Sequence, residues 1–276
     1  MHLYLSSFLI SIIFWLWIIR KYDRFEREPL QTVLFVFIAG GLISIVPAGI
    51  FNLLFGDFIN VQIDPAYPVD SGMGKLLILH GFVGLNEEFW KAAATVFLIR
   101  KMKSFNEPAD ALVYAMTVAF GFSVFENIEY SLKFGFYTFF VRQFNAVPLH
   151  IGLAAIWGIG IAKAKFSSQD NYLVTLAPYV LLAAFIHAIY NLSVTQIISP
   201  VLSLLLPSVI AILLIRFAIR KIKRYAEEGP FSKMLICQNC HNPNSPDARL
   251  CQKCGKELYG EKLKVNPFIT GGDDSK

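Results

Sequence analysis

The chain has 276 residues, of which 55% are hydrophobic and only 16% charged, with 25 phenylalanines and a mean hydropathy of +0.52. A water-soluble domain carries more charge than this, so composition excludes an ordinary soluble enzyme. The net charge of +5 does not point to nucleic acid, because the lysines and arginines cluster beside apolar segments, as a membrane topology requires.

Roughly 20 apolar residues cross a bilayer as a helix, and seven windows approach that length: about 3–19, 31–55, 76–99, 109–131, 147–163, 171–194 and 197–219. The expected fold class is an all-α polytopic membrane protein of about seven transmembrane helices, followed by a small cytoplasmic zinc ribbon. The opening MHLYLSSFL has neither a cationic n-region nor a small-x-small cleavage site before Arg20, so the first window reads as a retained anchor. Before the fifth window, FGFYTFFVRQF is a candidate interfacial helix. The connections 20–30, 100–103 and 163–170 and the segment after the seventh window are basic, whereas 56–75, 132–146 and 195–196 are not. The positive-inside rule then puts the N-terminus outside and the C-terminus in the cytoplasm.

The third window carries Glu87 and Glu88, and the fourth carries Glu126. Ionisable groups inside a span are costly and mark ion paths, proton relays or catalytic sites. Lys91 lies three and four residues beyond the glutamates, so on a helix it can neutralise one while the other stays available. A purely structural Glu–Lys pair needs one glutamate, and this segment has two. In the fourth window Asp110, Tyr114, Phe122 and Glu126 share an i+4 stripe, with Asn127 beside Glu126. His150 opens the fifth window, and His187 and Asn191 share a face of the sixth. A lone intramembrane histidine is usually a packing residue, but two beside glutamate-bearing segments argue for a site. At about 1.5 Å per residue, Glu87, Glu126, His187 and His150 lie roughly 16, 9, 10 and 5 Å from the outer ends of their helices. All four fall in the outer half, at the level of one cavity.

The soluble tail holds all four cysteines, as Cys237-x2-Cys240-x10-Cys251-x2-Cys254. Two such knuckles place four thiolates around one structural zinc, with Gly255 suited to the turn after the second pair. Two disulfides are the alternative, disfavoured in a reducing cytosol. His241 adjoins the first knuckle but is not needed by a closed four-thiolate site. The expected domains are 1–225 in the membrane, 232–258 as the ribbon, and 259–276 as a disordered tail.

In combination these motifs resemble the PrsW family of glutamic intramembrane proteases, relatives of the prenyl-protein (CAAX) endopeptidases. The E-E-x-x-K pattern is matched by Glu87, Glu88 and Lys91, F-x-x-x-E-N by Phe122, Glu126 and Asn127, and the later histidine motifs by His150 and by His187 with Asn191. YDRFEREP and FNEPADALVYAMTVAFGF extend the similarity over roughly residues 20–195. Ala111 and Ala115 stand where small glycines are usual, and Asn191 where an acid is also seen. The resemblance implies a site-1 type endopeptidase of a prokaryotic plasma membrane that cuts a membrane-anchored protein substrate near the external face. Glu87 or Glu88, with Glu126, would activate the water, and His187 and Asn191 would stabilise the oxyanion. Lys91, Asn127 and His150 would support them, with no cofactor in the catalytic site. The runner-up within the enzyme class is a zinc peptidase using His150, His187 and a glutamate, although no i+4 histidine pair with an adjacent glutamate is present. A proton- or ion-coupled transporter would usually show internal repeats, which are not visible. A scaffold acting through a cytoplasmic partner of the ribbon is the third alternative, and no nucleic-acid partner is expected.

Overall fold

The computed structural model describes residues 2–23, 25–61, 72–167, 171–194, 200–240, 242–246 and 248–258. Two compact units divide the chain, Met1–Gly229 and Pro230–Lys276.

The first unit is built from α1 (His2–Tyr22), α2 (Leu30–Phe58), α3 (Met73–Ile99), α4 (Pro108–Phe134), α5 (Phe136–Phe144), α6 (Ala146–Phe166), α7 (Tyr172–Val194) and α8 (Pro200–Glu228). Seven of these are long and coincide with the seven apolar windows. The nine-residue α5 is the FYTFFVRQF run expected as an interfacial helix, and it buries Phe139 alone. Among the described residues five stretches are long and apolar enough to cross a membrane. Helix α3 is not among them, because any membrane-length stretch of it contains Glu87, Glu88 and either Lys75 or Lys91. Much of the 56–75 loop and all of 195–196, both used in the charge argument, lie outside the described residues.

Helices α4 and α6 form the centre. Nearly every residue of α4 from Ala109 to Val124, and of α6 from Ala146 to Ala162, is buried, as expected for helices apolar all round. Around them α2 and α7 turn large apolar side chains outward, among them Phe35, Ile38, Leu181 and Phe185; these faces suit lipid. Helices in lipid associate through small residues that let backbones approach. At the α2–α4 crossing a Cβ on Gly121 would stand 2.1 Å from the Phe37 carbonyl oxygen, so Gly121→Ala cannot be accommodated without moving a helix.

At one end of the bundle the turn before α2 tucks beneath the first turn of α4. Glu28 N–H donates to Asp23 Oδ2 at 2.8 Å, and Tyr114 donates to Glu28 Oε2. Burial, and then the neighbouring Asp110 charge, pushes the Glu28 carboxyl up to about 9 and the Glu107 carboxyl up to about 8.

In the second unit Leu235–Ile236 pairs antiparallel with Pro243–Asn244, and Leu250 bridges to Glu257. All four cysteines are free and their sulfurs lie within 4.8 Å of one another. Cys237 and Cys254 Sγ are 3.6 Å apart, and Cys240 and Cys251 Sγ are 3.5 Å apart. A disulfide requires about 2.05 Å, whereas a tetrahedral zinc with bonds of about 2.3 Å separates its ligands by nearly this much. Gly255 makes the turn after the second knuckle at φ +72°. His241 and the expected disordered tail 259–276 lie outside the described residues.

Candidate active site

The polar side chains of α2, α3, α4, α5, α6 and α7 meet inside the bundle. Helix α3 can bring its glutamates to α7 because Gly84 faces the Ala184 carbonyl oxygen, which a Cβ would meet at 2.6 Å. This close approach sets His187 against the double glutamate.

Glu88 is fully buried and both of its oxygens are engaged. Oε1 accepts from Lys91 Nζ at 2.6 Å and lies 2.9 Å from His187 Nδ1, while Oε2 accepts from Trp157 Nε1 at 2.9 Å. A carboxylate only accepts, so His187 donates through Nδ1. Its Nε2 is thereby turned toward Glu87, 3.8 Å from Oε2.

Glu87 is held differently. Its Oε1 accepts from Asn52 Nδ2 at 3.2 Å. Asn52 is oriented by Asn86, whose Nδ2 donates to Asn52 Oδ1 at 2.8 Å and to the Ala48 carbonyl at 2.9 Å. Glu87 Oε2 is buried with no hydrogen-bond partner, and the Lys91 ammonium is 3.8 Å away.

Lys91 and His150 link the double glutamate to Glu126. Lys91 Nζ donates to His150 Nδ1 at 2.9 Å, so the other ring nitrogen carries the proton and donates to Glu126 Oε2 at 3.0 Å. Arg142, on α5, closes the array. Its Nη2 donates to Glu126 Oε2 and its Nε to Asn127 Oδ1, both at 2.6 Å, and the guanidinium lies 3.9 Å over the Tyr130 ring. Three carboxylates (Glu87, Glu88, Glu126) face two permanent cations (Lys91, Arg142). One negative charge is left over when all five are ionised.

The structure therefore brings together Glu87, Glu88, Lys91, Glu126, Asn127, His150 and His187. Asn191 follows one turn beyond His187 on α7, half-buried, and makes no hydrogen bond to the cluster among the described residues. The α4 stripe divides between two places, because Glu126 joins this site while Asp110 lies at the far end of the helix. Sequence reasoning missed four contributors: Arg142, Trp157, Asn52 and Asn86. Trp157 follows His150 by seven residues, two helical turns, so it was findable as a same-face neighbour. Asn52 is an isolated amide in an apolar helix, and Asn86 directly precedes the glutamates. Arg142 carried no signal beyond being a cation on the less basic side.

A family model described as "PrsW family intramembrane metalloprotease" matches residues 28–218, a span that contains every residue of this cluster. The chain belongs to the PrsW family. It is therefore an integral membrane protein of a peptidase family. Among its relatives are Protease PrsW of Geobacillus kaustophilus, 30% identical over 61% of this chain and 69% of the relative, and of Clostridioides difficile, 29% identical over 66% and 78%. Protease PrsW of Bacillus subtilis is 25% identical over 63% of this chain and 75% of the relative. A zinc-ribbon domain model matches residues 236–258, in agreement with the four gathered sulfurs. No solved structure matches.

The metal named in the PrsW family description can be tested against these side chains. Glu87, His150 and His187 are zinc-ligand types, and one donor atom from each lies within 4.8 Å of the others. Glu87 Oε2 and His187 Nε2 are open. Both His150 nitrogens are engaged, one by the Lys91 ammonium and the other by Glu126. A metal at Nδ1 would have to displace an ammonium, and one at Nε2 the Glu126 hydrogen bond. As arranged, the cluster lacks the third protein ligand that a catalytic zinc requires, and the residues do not fit that ion.

Proposed function

We propose that this protein is an intramembrane endopeptidase that cuts a membrane-anchored protein near the external face, with Glu87 as the base that activates the attacking water. The observation that carries this reading is Glu87 Oε2, buried without a hydrogen bond and 3.8 Å from His187 Nε2. A water between the two would have an acceptor to deprotonate it, and Glu87 could return the proton to the leaving amine. Glu88 has no free oxygen, so its role is to hold His187 and Lys91. As an imidazolium, with Nδ1–H on Glu88 and Nε2–H toward the pocket, His187 donates to the oxyanion together with the Asn191 amide. Lys91 and His150 relay the charge of the Glu126–Arg142 pair to this pocket, and Asn127 steadies Arg142. With the basic connections on the cytoplasmic side, the N-terminus would lie outside and the zinc-ribbon tail in the cytoplasm, where it could meet a protein partner, with no nucleic acid involved.

The test is turnover of purified protein in detergent on a peptide spanning the outer membrane boundary. Glu87→Gln is expected to lose about 100-fold or more in kcat, the scale of a lost acid–base group, with folding intact. A folded Glu87→Gln protein of full activity sinks the assignment. The alternative, a metal-dependent peptidase on Glu87, His150 and His187, would require His150 to give up the Lys91 or the Glu126 hydrogen bond to an ion. It would be favoured if activity without the tail followed added zinc.

A further inference from the structure

A second set of carboxylates is buried in the bundle, away from the active site. Asp23, Glu26 and Glu28 lie in the α1–α2 turn, Glu107 is the N-cap of α4, and Asp110 sits in its first turn. All but Glu26 are at most 1% exposed. Asp23, Glu107 and Asp110 each bring one oxygen within 4.8 Å of the others, and Glu26, Glu28 and Asp110 form a second such group. Asp110 is common to both.

Local structure uses some of these oxygens. Asp23 Oδ2 accepts from Glu28 N–H, Asp110 Oδ2 accepts from the N–H groups of Asn106 and Glu107, and Glu28 Oε2 accepts from Tyr114. Among the described residues six oxygens remain buried without a hydrogen-bond partner: Asp23 Oδ1, Glu26 Oε2, Glu28 Oε1, Glu107 Oε1 and Oε2, and Asp110 Oδ1. Glu107 is wholly buried in a capping-box arrangement, yet neither of its oxygens makes a hydrogen bond. The backbone at Gly229 closes over it, since a Cβ there would meet Glu107 Oε2 at 2.4 Å. Nearby cations donate to backbone instead. Arg20 donates to the Glu28 carbonyl, Arg27 to that of Asp23, and Lys165 to that of Phe105. Among the described residues no ion pair reaches these five carboxylates.

We propose that this pocket binds a hard divalent cation, Mg2+, Ca2+ or Mn2+, which fastens the α1–α2 turn to the N-terminus of α4. Unpaired buried carboxylates are strongly unfavourable, and a dication placed among them answers several at once. The donors are all oxygen, which selects these ions over zinc or copper, and Ca2+ takes 6–8 oxygens while Mg2+ takes six, some from water. Glu107 is the second mark of the ligand: its capping box turns it toward the Asp110 N–H, yet both of its buried oxygens remain without a hydrogen bond.

The full-length, zinc-loaded protein, dialysed into metal-free detergent buffer, is titrated separately with Mg2+, Ca2+ and Mn2+. Thermal unfolding is followed for each ion, and the free-ion EPR signal for Mn2+. At least one ion should raise the unfolding midpoint saturably, and Mn2+ uptake should reach about one ion per chain in the site beyond the zinc. Glu107→Gln should weaken that response about 10-fold or more, yet unfold no earlier than wild type in metal-free buffer, because an uncharged group of the same shape takes the place of a buried carboxyl. Asp110→Asn should weaken it further, but that change also removes a cap, so Glu107→Gln decides. The proposal is overturned by the absence of a saturable shift with all three ions up to about 10 mM. It is also overturned by an undiminished shift in Glu107→Gln, or by a Glu107→Gln loss of stability that is equal with and without cation.

Discussion

Helix α4 carries a buried carboxylate cluster near each end, and the two are neutralised by different means. Glu126 and Asp110 stand 16 residues apart, about 24 Å along the helix. At the Glu126 end, Arg142 and Lys91 reach carboxylate oxygens directly, at 2.6 Å to Glu126 and Glu88. At the Asp110 end, Arg20, Arg27 and Lys165 turn to carbonyls and six carboxylate oxygens stay unpaired. The first cluster is neutralised to within one charge by fixed side-chain cations and leaves one fully buried oxygen, Glu87 Oε2, without a hydrogen bond. The second leaves its buried oxygens without a side-chain cation among the described residues, which is the ground for the proposed ion site. Burial of acids alone therefore does not identify a catalytic site. What distinguishes one is how nearly its charges are balanced and which atom is left over.

The most severe test of that distinction removes the balance from inside. Lys91 is fully buried between Glu88, Glu87 and His150, and Lys91→Met leaves three carboxylates facing Arg142 alone. Breaking a buried pair from one side costs about 3–5 kcal/mol. Expected outcomes are an unfolding midpoint lowered by several degrees and a loss of cleavage of about 100-fold or more, matched by Glu88→Gln, Glu126→Gln and His187→Ala. Wild-type stability and turnover in Lys91→Met would show that the cation does not hold the cluster.

A smaller effect is expected at Arg142, which touches Glu126 and Asn127 and lies over Tyr130. Arg142→Lys keeps the charge but cannot reach both side chains in one plane. Its kcat should fall about 10-fold, and Arg142→Leu further, since a charge-assisted hydrogen bond is worth about 1.5–3 kcal/mol. Equal kinetics for wild type and Arg142→Leu would place Arg142 outside the working site.

The difference between the clusters also explains what was legible in the sequence. Glu87, Glu88, Glu126, His150 and His187 stand out because each interrupts an apolar run, where an ionisable group needs a reason. The seven long helices were legible for the same reason, from apolar length. Arg142, Asp23, Glu28 and Glu107 lie in or beside connections, where charge is ordinary, so nothing in the sequence announces that they are buried. Asp110 was noticed but grouped with Glu126, because an i+4 stripe gives the face of a helix and not the position along it. Trp157 and Asn52 were hidden by being uncharged.

Asn191 offers a still smaller test. It is half-buried one turn from His187 and without a bond to the cluster, so its amide is free to meet a developing oxyanion. Asn191→Ala should reduce kcat by about 10-fold, one of two such donors being lost, with KM nearly unchanged. A change confined to KM would make it a substrate-binding group instead.

The least effect is expected from removing the ribbon, Pro230–Lys276. Every residue of the active cluster belongs to the other compact unit, and the four cysteines with their gathered sulfurs leave with the tail. The ribbon is too small to fold on its own hydrophobic core and depends on its metal. The bundle, by contrast, packs α4 and α6 against its own helices, α2 and α7 among them. Protein ending at Gly229 should therefore contain no stoichiometric zinc by elemental analysis and should cleave the boundary-spanning peptide within about 2-fold of the full chain. Ending there, and not before, keeps the backbone that closes over Glu107, so the cation response should survive the truncation. Zinc retained by this shortened protein, with cleavage that a chelator abolishes and zinc restores, would overturn the Glu87 water mechanism and make Glu87, His150 and His187 the metal's ligands.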